Sequence, residues 1–181
     1  MKRIVRGLYL YATALIALGF LLEGLPALMT QVVLTGFTVR TGPYLGIGPI
    51  GQIEDIQGSV LITLVGLTLW VVHWGYANQI AARLDDDGAW ERGSPIRRAF
   101  FYLTLFLGAL MILNYGGLTI EGILGIRSGR LVVADFLTGE FVGPLCSLVF
   151  YAVLCGYHVL ALYLDRQRSA ADASSYYTSF G

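Results

Sequence analysis

The sequence predicts an all-α integral membrane protein, a four-helix bundle built from two repeated helical hairpins. Three observations predict it: an apolar composition, four long apolar segments, and a similarity between the two halves of the chain. Of the 181 residues, 56% are hydrophobic and 13% are charged, whereas about 25% of an ordinary soluble domain is charged. The composition therefore indicates lipid as the solvent, and the zero net charge gives no reason to expect a nucleic-acid partner.

Four segments are long and apolar enough to cross a bilayer, for which a helix needs about 20 residues. They extend from about Leu8 to Leu34, from Gly58 to Ala82, from Ala99 to Ile123 and from Phe141 to Leu164. None alternates polar and apolar residues as a membrane β-strand does, so each is predicted to be a helix. Residues 1–168 form the predicted transmembrane domain, and residues 169–181 a polar C-terminal tail.

The positions of lysine and arginine predict the orientation in the membrane. One side of the spans carries Lys2, Arg3, Arg6, Arg83, Arg92, Arg97, Arg98, Arg166 and Arg168, and the other carries Arg40, Arg127 and Arg130. Because basic residues are in excess on cytoplasmic loops, we expect both termini in the cytoplasm and the chain in a bacterial inner membrane. The link Asp85–Ser94 is predicted to be a tight polar hairpin, with Pro95 as the first residue of the next helix.

The two halves of the chain, about 1–84 and 95–168, repeat a set of polar residues at constant spacing. Arg6, Tyr11, Thr13 and Glu23 correspond to Arg97, Tyr102, Thr104 and Asn114, while Gly58, His73 and Arg83 correspond to Gly143, His158 and Arg168. Each half is one hairpin with the same orientation in the membrane. A pseudo-two-fold axis along the membrane normal is the expected relation between them.

Short motifs at equivalent places in the hairpins carry a resemblance. The third span begins Arg97-Arg98-Ala99-Phe100-Phe101-Tyr102, the first has the weaker partner Arg6-Gly7-Leu8-Tyr9-Leu10-Tyr11, and His73-Trp74 lies late in the second. With these motifs the chain resembles an uncharacterised bacterial family of multi-pass membrane domains with duplicated two-helix repeats. The fourth span departs from the pattern, with His158-Val159 in place of His-Trp. The resemblance implies no activity, but its bacterial lineage includes phototrophs and favours electron-transfer complexes.

His73 and His158 are the candidate site residues, since they are the chain's two histidines and are equivalent in the repeat. In an up-down bundle the second and fourth spans are diagonal, about 11–14 Å apart when neighbouring helices are 8–10 Å apart. That gap fits a b-type haem whose iron is ligated by both imidazoles. The alternatives are a structural polar contact, duplicated with the hairpin, and a quinone or chlorophyll-type pigment site.

Other motifs carry no catalytic site. Gly46–Gly51 has the spacing of a dinucleotide fingerprint but lacks a preceding strand, and Glu23 is interpreted as an interface anchor. The sequence therefore predicts an accessory subunit without catalytic activity of its own, in an energy-conserving membrane complex for electron transfer or photosynthesis. We expect lipid and other membrane subunits as partners, docked where small residues allow close helix approach, among them Gly19, Gly66, Gly75, Gly108 and Gly156. A cofactor-free structural or assembly protein is the alternative.

Overall fold

The structure, a computed structural model, describes the backbone of residues 2–41, 49–128 and 141–178, and the side chains of 2–36, 56–128 and 141–171. Within these ranges the chain is helical and forms no strand, which confirms the all-α prediction. The helices are α1 (Lys2–Thr41), α2 (Pro49–Ala81), α3 (Asp86–Gly93), α4 (Pro95–Arg127) and α5 (Val142–Thr178). The glycine-rich segment around Gly46 and the basic residue Arg130 lie outside the described residues.

Four of the helices are long and apolar enough to cross a membrane. Their apolar portions are Lys2–Gly36, Ile56–Ala81, Pro95–Arg127 and Val142–Ala171. By length and composition the chain is a multi-pass membrane protein with its outer side chains in contact with lipid. The last helix continues to Thr178 without a break at Ser169, so the polar tail begins as an extension of α5.

Glycines allow the two helices of each hairpin to approach closely. A Cβ atom at Gly24 of α1 would lie 2.7 Å from Thr63 Oγ1 and 2.8 Å from Thr63 N on α2. In the other hairpin, Gly108 of α4 lies directly against Cys155 of α5. Because lipid gives helices no hydrophobic reason to associate, such close packing is a main source of attraction between them. Helix α1 also contacts α4 and α5, and thereby joins the two hairpins.

The predicted hairpin link between the second and third spans is instead the short helix α3. Asp85 caps its start, where Oδ1 accepts a hydrogen bond of 2.9 Å from the Gly88 amide. The prediction of a tight polar loop was therefore wrong, because the capping aspartate and the acidic first turn favour a helix. Pro95 does occupy the first turn of the following helix, as predicted. The side chains of Glu91 and Arg92 are buried on α3.

Equivalent residues of the repeat differ in burial. The side chain of Tyr11 is 3% exposed, whereas Tyr102, its counterpart in the second hairpin, is 54% exposed. Arg97 is buried, while its counterpart Arg6 is half-buried. The two hairpins therefore place these equivalent residues in different surroundings, and of these two pairs only Tyr11 and Arg97 are buried.

Candidate functional site: a buried polar network beside His158

Both histidines make the same local hydrogen bond. His73 Nδ1 lies 2.8 Å from the Leu69 carbonyl oxygen, and His158 Nδ1 lies 2.9 Å from that of Leu154, in each case four residues earlier. A carbonyl oxygen can only accept, so Nδ1 carries the proton in both rings. In a neutral imidazole, Nε2 is then left as an acceptor or a ligand atom.

The Nε2 atom of His73 faces the first helix. It lies 3.2 Å from the hydroxyl of Tyr9, and the two rings meet edge to face with centroids 5.5 Å apart. The side chain is half-buried at the α1–α2 contact. His73 therefore joins the two helices of its own hairpin.

His158 is instead fully buried in an aromatic cluster, with 0% of its surface exposed. Its ring centroid lies 5.7 Å from that of Trp74, 5.9 Å from Phe100, 6.2 Å from Phe101 and 5.2 Å from Tyr157. Its Nε2 atom has no hydrogen-bond partner among the described residues. His158 therefore packs at the centre of the bundle, where three helices meet.

The two histidines are not brought to one site, and their geometry does not fit a haem held between them. Trp74 of α2 lies directly against His158 and donates a hydrogen bond of 2.7 Å from Nε1 to the Tyr157 hydroxyl. This indole fills the space that a macrocycle between the helices would need. The adjacent residue, His73, points away from it toward α1. The expectation of a shared bis-histidine site therefore has no support in the arrangement of these side chains.

A polar network lies beside this aromatic cluster, centred on the buried Arg97. Its Nε donates to Asp165 Oδ2 at 2.6 Å, and its Nη2 to Asp165 Oδ1 at 3.2 Å. The same Nη2 donates to Asn78 Oδ1 at 2.8 Å, while Nη1 donates to the Tyr11 hydroxyl at 3.0 Å. A two-pronged guanidinium–carboxylate pair is the strongest of these contacts, because both groups are ionised and their planes match.

Tyr11 extends the network to the short helix α3. Its hydroxyl donates to Glu91 Oε1 at 2.5 Å, and Glu91 Oε2 lies 4.0 Å from Arg6 Nη2. Farther out, Asp87 pairs with Arg3 at 2.7 Å and with Arg6 at 3.8 Å. Together Tyr11, Asn78, Glu91, Arg97 and Asp165 take one member from each of the five helices. The network therefore connects all five helices at one end of the bundle.

Arg97 also connects the network to the aromatic cluster. Its guanidinium carbon lies 5.1 Å from the ring centroid of Trp74 and 5.1 Å from that of Phe101. Cation–π attraction of this kind is stronger where water is excluded. His158, Trp74 and Arg97 thus form one continuous buried cluster, which we call the Arg97–His158 cluster.

A family model described as "Domain of unknown function (DUF5671)" matches residues 7–153. The chain belongs to this family. No curated protein and no solved structure matches the chain. The part of the chain that the DUF5671 model matches includes Tyr11, Asn78, Glu91 and Arg97 but ends before His158 and Asp165.

Most residues of this DUF5671 network were not identified from the sequence. Glu91 lies in what reads as a loop, and Asp165 lies at the end of the fourth predicted span. Arg97 was interpreted as a marker of orientation and as a residue of the repeat, and its burial was not predicted. One signal did point to it, because its place in the repeat matches that of Arg6 within the most specific motif. Glu23 and Asn114, another repeated polar pair, are exposed on their helices.

The DUF5671 chain offers no metal cluster in its described part. No group of three or more histidine, cysteine, aspartate or glutamate side chains there could hold a metal ion. The buried carboxylates of Glu91 and Asp165 are each engaged by a tyrosine or an arginine. The chemistry that this arrangement performs is therefore the mutual neutralisation of buried charge.

Proposed function

We propose that this protein is a cofactor-free structural subunit of a larger membrane complex, with no catalytic activity of its own. The observation that supports this most directly is the polar network that connects the five helices at one end of the bundle. Arg97 and Asp165 pair with each other, and through Asn78, Tyr11 and Glu91 they join all five helices. Because each of these polar groups already has a partner within the protein, the network stabilises the arrangement of the helices and leaves none of its members available to a substrate.

Outward-facing glycines support a role in assembly. Added Cβ atoms at Gly19, Gly75 and Gly156 would meet nothing within 4 Å, whereas Gly66 and Gly108 lie inside the bundle. Small residues on an outer face allow a helix of another subunit to approach closely. The first three glycines are therefore the proposed contact points, one each on α1, α2 and α5.

The proposed orientation places the polar network at the cytoplasmic face of a bacterial inner membrane. The basic residues Arg3, Arg6, Arg83, Arg98, Arg166 and Arg168 gather at this end. The assignment of the complex to electron transfer or photosynthesis rests on the resemblance alone. This assignment can be tested by identifying the partner proteins directly.

Purification from native membranes tests the proposal. The full chain, extracted in mild detergent after chemical cross-linking, should carry other membrane proteins in fixed ratio. Gly75→Leu should release them, because the leucine side chain would prevent the close approach of a partner helix. Val72→Leu is the matched control, since it adds bulk at an exposed position that already carries a branched side chain. A monodisperse monomer from wild-type membranes, or equal retention by Gly75→Leu, Gly19→Leu and Gly156→Leu, would refute the proposal.

An absorbance spectrum tests the cofactor-free part separately. The purified protein, oxidised and then reduced with dithionite, should show no haem bands. A low-spin haem spectrum that both His73→Ala and His158→Ala abolish would overturn this part and restore the bis-histidine hypothesis. Partner retention would be unaffected by that result, so the two parts of the proposal can fail independently.

A further inference from the structure

A cleft of about 260 Å³ opens between α4 and α5 at the end of the bundle where the polar network lies. Four arginines line it, Arg92 from α3, Arg97 and Arg98 from α4, and Arg166 from α5. Asp165 is the one carboxylate that the described side chains contribute to its lining. The cleft is thus strongly basic, and it is smaller than the ~300–1,000 Å³ that pockets for whole small molecules occupy.

Two of these arginines are already engaged. Arg97 holds Asp165 through two hydrogen bonds, so these two charges neutralise each other. Arg92 donates from Nη1 to the carbonyl oxygens of Ala81 and Arg83. The positive charge that the cleft can offer to a ligand therefore comes from its other two arginines.

Arg98 and Arg166 are the arginines free to take a ligand. Both are exposed, and neither has an ion-pair or hydrogen-bond partner among the described residues. Arg98 also lies in the first turn of α4, beside the positive end of the helix dipole, where a cation is disfavoured. An anion in the cleft would reduce the repulsion between the arginines and would offset the unfavourable position of Arg98 at the positive end of the helix dipole.

Apart from Ser169, the rest of the lining is formed by aromatic and aliphatic side chains. Phe101, Tyr102 and Leu162 face the cleft below the arginines, on helices that continue into the membrane. Tyr102 is exposed and has the amphipathic ring typical of the membrane–water interface. A free phosphate ion would contact only the arginines, whereas a phospholipid would use both parts, with its phosphate on the guanidinium groups and its chains along the apolar wall.

We propose that the cleft between α4 and α5 binds the phosphate headgroup of an anionic phospholipid, with Arg98 and Arg166 as its ligands. Basic pockets between membrane helices on the cytoplasmic side are a recurring form of lipid recognition. This site is independent of the proposed role as a subunit, because it involves none of the outward-facing glycines.

The structure supplies a matched control for the test. On the opposite side of the Arg97–Asp165 pair lies a second, smaller cleft of about 160 Å³. Among the described side chains, its lining contains Arg168 as the one arginine besides Arg97. Arg168→Gln therefore removes the same charge from the same end of the bundle without touching the proposed site.

The full chain would be placed in nanodiscs of phosphatidylcholine with increasing phosphatidylglycerol, and retained lipid counted by native mass spectrometry. Each of Arg98→Gln and Arg166→Gln should weaken retention of phosphatidylglycerol roughly fivefold, and the double variant roughly 25-fold. Arg168→Gln should change it by less than twofold. Equal retention by the double variant and the wild type, or an equal loss in Arg168→Gln, would overturn the proposal.

A second pair of measurements separates lipid from free phosphate. Tyr102→Ala removes part of the apolar wall and should weaken phosphatidylglycerol retention, since Tyr102 is exposed and its loss leaves the core intact. Millimolar inorganic phosphate should not displace the lipid. Displacement by phosphate, together with no effect of Tyr102→Ala, would show that the cleft takes a free phosphate ion and would overturn the assignment to lipid.

Discussion

Arg97 and Asp165 face each other between α4 and α5 and share two hydrogen bonds, of 2.6 and 3.2 Å, with both side chains buried. A buried pair of this kind adds little net stability over a hydrophobic pair, because both charges must leave water. Its effect is instead on specificity, since each charge is costly unless the other helix is in its correct place. We therefore expect the pair to fix how α4 and α5 are aligned.

Breaking this pair should be far more costly than removing it. Asp165→Asn leaves the guanidinium of Arg97 buried without its counter-ion, and should lower the free energy of unfolding by about 3–5 kcal/mol. Unfolding in mixed detergent micelles, followed by tryptophan fluorescence, would measure the change. The double variant Arg97→Met with Asp165→Leu should lose less than either single variant, and simply additive losses would contradict the structure.

The two histidines should differ in their contribution to stability. His158→Ala leaves a cavity among packed aromatic rings and should cost about 2–4 kcal/mol. His73→Ala removes one hydrogen bond to Tyr9 at a half-buried position and should cost about 0.6 kcal/mol, the average for a membrane hydrogen bond. Equal losses for both, measured in the same unfolding experiment, would indicate that the histidines act as a symmetrical pair.

Two glycines on the first helix should differ in their sensitivity to the same substitution. Gly24→Ala would place a Cβ 2.8 Å from the backbone nitrogen of Thr63, and should destabilise the α1–α2 contact by about 1–3 kcal/mol. Gly19→Ala, with nothing within 4 Å, should change stability by less than about 0.5 kcal/mol. Thermal unfolding in detergent would compare them, and a neutral Gly24→Ala would show that the helices are farther apart.

The orientation can be tested with single cysteines and a maleimide that does not cross membranes. Ala89→Cys on α3 should remain unlabelled in intact cells, and Ser128→Cys at the end of α4 should react. Ala89 is exposed, whereas its neighbour Gly88 has no room for a Cβ beside the carbonyl group of Arg83. The native Cys146 and Cys155 would first be replaced by alanine, and the reverse labelling pattern would invert the topology.

The number of membrane helices could be predicted because the bilayer itself dictates the apolar spans, although the helices extend beyond the predicted segments. A span needs about 20 apolar residues whatever it packs against, so the four segments are evident in the sequence. The short helix α3 could not be recognised as readily. Its sequence is polar, and burial of Glu91 became apparent only with its partner Tyr11, which lies far away in the chain.

The inner faces of the helices could not be predicted in the same way. In membrane helices both the lipid-facing and the inner faces are apolar, so a hydrophobic stripe does not mark the interior. His73 was therefore expected to point inward, whereas its neighbour Trp74, about 100° farther round the helix, occupies the centre. The repeat misled in a similar way, because Tyr11 and Tyr102 share a motif but only one is buried.

The distance along the chain between Arg97 and Asp165 has a consequence for biogenesis. Sixty-eight residues separate them, so the arginine leaves the ribosome and enters the membrane well before its counter-ion is synthesised. Until then Tyr11, Asn78 and Glu91, all made earlier, are the groups that can shelter its charge. We therefore expect the site to form in the order of synthesis, with Tyr11, Asn78 and Glu91 as the first partners of Arg97 and the carboxylate of Asp165 as the last.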